Sequence, residues 1–128
     1  NNRPSLVGYA NQYAETFTSL SKQIDDFDSQ LQGMKSSITE QEASLEIQNQ
    51  ELESIRLEMQ AFRGSGATEE YNGLVPQYNQ LVQVYNQDIA TLKLNIKDYN
   101  DLVEKRNNLA STQNDLAKEL NSNYQPLQ

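Results

Sequence analysis

The chain has 128 residues, 36% of them hydrophobic, and a formal charge of −8 from 18 acidic and 10 basic side chains. It contains no Cys, His or Trp, which removes disulfide scaffolds, thiol and imidazole catalysis and the commonest zinc sites together. The acidic balance is the wrong sign for a phosphate backbone, so no nucleic acid is expected as a partner. A mean hydropathy of −0.81, without a long apolar run, predicts no direct membrane insertion by this chain.

The first residues, Asn1 to Pro4, lack a signal-peptide core. From Ala10 the apolar positions step by three and four: Ala10, Tyr13, Phe17, Leu20, Ile24, Phe27, Leu31, Met34, Ile38, Gln41, Leu45, Gln48, Leu52, Ile55, Met59 and Phe62. Only Gln41 and Gln48 in this series are polar. Such a repeat keeps one seam of a helix facing a partner helix, with Ala10 at heptad position a and Tyr13 at d. A helix over about residues 4–63 is predicted.

Gly64, Ser65 and Gly66 then break the pattern, because glycine admits the positive φ needed to stop a helix and reverse the chain. Residues 64–67 are read as the turn and as a small polar tip. Thr68 is placed to cap a second helix over about residues 68–122, with Glu69 and Glu70 in its first turn, where the helix dipole favours carboxylates. Its d positions are Tyr71, Tyr78, Tyr85, Leu92 and Tyr99, and its a positions are Val75, Val82, Ile89, Ile96 and Val103. Pro76 either kinks this helix or begins it after a short turn at residues 68 to 72. A tail of residues 123–128 follows.

Two nearly equal arms around the glycines predict an all-α fold, a long antiparallel two-helix coiled-coil hairpin of about 80 to 90 Å. Two alignments match the seams. In one, paired residue numbers sum to 130, the turn centres on Ser65, and Leu45 meets Tyr85 and Leu6 meets Tyr124. In the other the sum is 137, Gly73 to Pro76 are treated as loop, and Leu20 packs on Ala117. The first is preferred because it uses the chain almost from end to end.

The recurring Tyr-Asn pairs at Tyr71, Tyr78, Tyr85 and Tyr99 suggest a stacking ladder. Heptad duplication explains them without a ligand, since a tyrosine can cover a narrow seam while its hydroxyl reaches water. Gln41 and Gln48 are read as register-setting polar layers, whose joint replacement by Leu is expected to raise the melting temperature. Carboxylates at Asp25, Asp26, Asp28, Glu40, Glu42, Glu51 and Glu53 match no calcium loop and have no cleft, and are read as solvated faces. Neither a metal nor an organic cofactor is expected.

In the last third of the second helix the d positions become Arg106 and Gln113, while Leu102, Leu109 and Leu116 appear one step before a. These leucines widen the apolar stripe and are the candidate interaction residues, covered by a second copy in a four-helix bundle or by another protein. The 14 Asn include no Asn-X-Ser/Thr acceptor, which fits a bacterial chain, and lack of Cys suits cytoplasm or, as favoured here, a bacterial envelope. The expected function is therefore a non-catalytic structural or interaction module within a larger bacterial protein. Its competitors are a partner-binding surface built on the leucine stripe and, more remotely, an enzyme using the acidic clusters.

Overall fold

The computed structural model describes the backbone of residues 3–124 and the side chains of residues 11–120. It contains two helices, α1 (Arg3–Ser65) and α2 (Thr68–Tyr124). They pack as an antiparallel hairpin: cross-helix bonds join Gln41 to Asn95 and Gln48 to Asp88, so one number rises as the other falls. The expected pairing of Leu6 with Tyr124, the seam side chain of Ala10 and residues 125–128 lie outside the described residues.

The connection is built on a complete helix-ending motif. Gly66 has φ 74°, its N–H donates to the Arg63 carbonyl at 3.3 Å, and the Ala67 N–H donates to the Phe62 carbonyl at 2.8 Å. This is the paired bonding that closes a helix whose terminating residue is left-handed. Gly66 alone adopts positive φ among the described residues; Gly64 remains inside α1. The carbonyl of Ala67 accepts the first bond of α2, from the Tyr71 N–H at 3.1 Å. Ala67 is therefore the cap position, and Thr68 is the first helical residue. The Thr68 hydroxyl donates to the Gly66 carbonyl and satisfies no helix amide, which corrects the capping role expected from its side chain.

Pro76 lies inside α2, which is one helix from Thr68. The residue thus neither starts the main helix nor splits off residues 68 to 72. It removes the amide that would bond the Asn72 carbonyl, and Asn72 is exposed, so water can serve there. At the other end α2 continues through Asn121, Ser122 and Asn123 to Tyr124, beyond the expected stop at 122.

Two compact units make up the chain: residues 1–33 with 99–128, and residues 34–98. The first contains the buried apolar residues Tyr13, Leu20 and Ile24. In the second, the seam residues of both helices are half-buried apart from Ile96, which is exposed at 36%. Two packed helices can cover only one stripe of each other, so partial burial is what this architecture yields. On α1 the covered stripe is narrow: between Tyr13 and Phe62 nearly every a and d residue is covered, and Phe17 is the exposed exception at 41%. On α2 it is broader, taking in the position before a as well.

Candidate functional site

The polar residues at d are the chemically distinctive feature of the seam, and each has a partner on the opposite helix. Gln41 Oε1 accepts from Asn95 Nδ2 at 3.0 Å. Gln48 Nε2 donates to Asp88 Oδ2 at 2.7 Å. Arg106 Nε donates to Asp28 Oδ1 at 2.9 Å, with Nη2 facing Oδ2 at 3.4 Å. Gln113 Nε2 donates to Ser21 Oγ at 2.6 Å and points to the Phe17 carbonyl at 3.5 Å. Gln41 and Gln48 thus each bond the opposite helix, while Gln48 Oε1 stays buried without a partner, so the premise that both amides lack partners is lost except at that one atom.

The partners follow a rule. Asp88 and Asn95 stand one step before a on α2, spaced by seven, as Gln41 and Gln48 are on α1. The line they occupy reads Leu74, Leu81, Asp88, Asn95, Leu102, Leu109, Leu116, and all seven residues are half-buried. The candidate leucines therefore continue a line whose polar members reach across to α1. Sequence reading singled out the last three and missed the two polar members; the signal was their seven-residue spacing, matched to that of the glutamines.

These bonds also fix the alignment. In the unit of residues 34–98 both bonded pairs sum to 136, one residue from the 137 alignment, in which Gln48 faces Ile89 and Gln41 faces Ile96. The preferred 130 alignment would put Gln48 beside Val82, about 9 Å along the helix from Asp88. In the unit of residues 1–33 and 99–128, the Asp28–Arg106 and Ser21–Gln113 pairs sum to 134, between the two alignments. The turn accounts for the direction of the departure from 130, because the chain reverses at Gly66 and Ala67 rather than on Ser65.

The same terminal unit carries an apolar groove of about 420 Å³, lined by Tyr13, Ala14, Phe17 and Thr18 of α1 and by Leu116, Ala117 and Leu120 of α2. Tyr13 is buried there, and Phe17 is the exposed large apolar residue of its lining. In the other unit Ile47, Leu57, Val84 and Leu94 are exposed off the seam, between 40% and 62%. The tip has a recess of about 400 Å³ lined by Phe62, Arg63, Gly66, Thr68, Tyr71 and Asn72.

The carboxylates Asp25, Asp26, Asp28, Glu40, Glu42, Glu51 and Glu53 are exposed. Among the described residues no three acidic groups gather as a metal site, and no helix is long and apolar enough to cross a membrane. Glu53 is bonded to Arg56 one turn on, and that hydrogen bond to the guanidinium holds its carboxyl below the usual carboxylate range. Tyr71, Tyr78, Tyr85 and Tyr99 are half-buried, with Asn72, Asn79, Asn86 and Asn100 exposed beside them. That is the arrangement a seam cover requires. The chain matches no family model, no curated protein and no solved structure at a significant level.

Proposed function

We propose that the chain is a non-catalytic structural and interaction module, a helical hairpin that presents a polar turn and uses an apolar groove to dock a second copy of itself. The observation that carries this reading is Phe17. It occupies an a position in an otherwise covered stripe, yet is 41% exposed on the wall of the groove that Leu116 and Leu120 complete. An aromatic seam residue left open beside leucines is the kind of surface that a further helix covers.

A second copy suits the site because the groove is itself made from two helices, and a two-fold axis lets the same patch serve on both partners. The result would be a four-helix arrangement with Phe17 inside it. The reading as a non-catalytic module is supported by acidic side chains that are exposed along single helices with no cleft around them.

Light scattering across a concentration series tests the proposal. A concentration-dependent dimer is expected, and Phe17→Gln should shift it to monomer while leaving helicity intact. A protein that stays monomeric at every concentration contradicts self-docking and leaves the groove to a different protein.

A further inference from the structure

Two alignments of the helices one heptad apart are close competitors in this chain, because the seam of α2 repeats itself every seven residues. Sliding the helices by one heptad exchanges like for like, Tyr for Leu or Val for Ile, in the apolar layers of residues 34–98, except at Phe62, which would trade Val75 for Thr68. It also moves the turn toward Gly64 and Ser65, which can serve it. Apolar layers so alike discriminate weakly between registers.

The polar residues do discriminate. In the observed alignment Asn95 bonds Gln41 and Asp88 bonds Gln48. After a one-heptad slide Asp88 would meet Gln41, Leu81 would meet Gln48, and Asn95 would meet Met34. Gln48 has no slack for this: its Oε1 is already buried without a hydrogen-bond partner, so its bonding rests on the amide nitrogen, which Asp88 accepts from. Losing Asp88 would leave both polar atoms of Gln48 without a cross-helix partner and seat Asn95 on a thioether.

We propose that Asp88 and Asn95 are the register-selecting residues of the hairpin, acting as a two-position code read by Gln48 and Gln41 that holds the helices against a one-heptad slide. Each mispaired layer is worth about a tenfold bias in population, so the native register dominates although the apolar seam barely prefers it. The code is directional. Exchanging which residues occupy positions 81, 88 and 95 should move the preferred register without changing the composition of the seam.

The native chain has no cysteine, so engineered pairs report register directly. Leu45→Cys with Leu92→Cys reads the observed alignment, and Leu45→Cys with Tyr85→Cys reads the slid one. In the otherwise native chain the first pair should oxidise at least about tenfold faster than the second. With Leu81→Asp, Asp88→Asn and Asn95→Leu together, in a chain that also carries Arg106→Leu and Gln113→Leu to remove the two cross-helix bonds of the other unit, the polar code is displaced by seven residues and the order should reverse. In a background with Gln41, Gln48, Asp88 and Asn95 all replaced by Leu, and with Arg106→Leu and Gln113→Leu removing the two cross-helix bonds of the other unit, the two pairs should close at comparable rates. Circular dichroism confirms helicity in each background. A tenfold preference for the first pair that survives in either background of full helicity overturns the proposal, as does a native preference for the second pair.

Discussion

Gln48 Nε2 and Asp88 Oδ2 are 2.7 Å apart across the two helices, and this contact makes a polar layer an asset where an isolated buried amide would be a cost. A carboxylate acceptor strengthens the bond, and removing one side of it strands a half-buried charge. Gln41→Leu with Gln48→Leu is therefore expected to lower the melting temperature, by about 1 kcal/mol of stability per layer after the apolar gain is counted. Thermal unfolding followed by circular dichroism measures it. A double variant more stable than the parent would show that these bonds contribute nothing net.

The two tip glycines should respond in opposite directions. Gly66 sits at φ 74°, where a side chain costs about 1 kcal/mol, so Gly66→Ala should destabilise. Gly64 is helical, and an added Cβ meets nothing within 4 Å, so Gly64→Ala should stabilise by up to about 1 kcal/mol. Denaturant melts of the two single variants separate them; equal effects would contradict the turn geometry.

Arg106 fills a d position while reaching Asp28, and its side chain is 33% exposed against 48% for the carboxylate. A pair this open is worth less than about 1 kcal/mol. Arg106→Leu should leave stability unchanged or raise it, and Asp28→Asn should be nearly neutral. A loss of several kcal/mol in either, by chemical denaturation, would mean the ion pair governs this part of the seam.

Leu102, Leu109 and Leu116 lie on the line that includes Asp88 and Asn95, so changing all three to Gln should lower stability, by roughly 1 kcal/mol for each half-buried leucine. Phe17→Gln should instead act on association with little effect on the melt of the monomer. Thermal melting separates the two variants, and oligomer mass is expected to fall in both because Leu116 also lines the groove. A triple variant that melts like the parent would place the leucines outside the intramolecular seam.

Glu53 offers a pH readout. Its hydrogen bond to Arg56 lowers the carboxyl pKa, so the interaction is present at neutral pH and lost as pH falls through that lowered value. Proton titration by NMR should show Glu53 ionising below the ordinary glutamate range, and Arg56→Gln should return it upward. The melting temperature at pH 7 should barely move, since the pair is solvent-exposed.

The two helices and the reversal at the glycines were legible because heptad spacing and positive-φ chemistry are local signals. Pro76 was ambiguous because helix breaking by proline depends on whether the stranded carbonyl can be satisfied, and the exposed Asn72 is a tertiary fact. The register was misjudged for a related reason. Apolar layers fit both alignments, and the deciding residues, Asp88 and Asn95, sit outside a and d, where the search for seam residues does not look. Phe17 carried no signal at all in the sequence: its a position predicts burial, and only the packed helices show it left open.

The claim on which the account rests is that one chain folds back on itself, and a distance measurement between spin labels tests it most directly. Gln23 and Asn114 are exposed on α1 and α2 of one unit, next to the seam pair at Ser21 and Gln113. With doubly labelled chain diluted into unlabelled protein, the hairpin predicts a label separation of about 20 Å, set by helix packing and the label arms. A continuous helix running through the glycines would place the same labels about 135 Å apart, and loss of the short distance on dilution would contradict the hairpin.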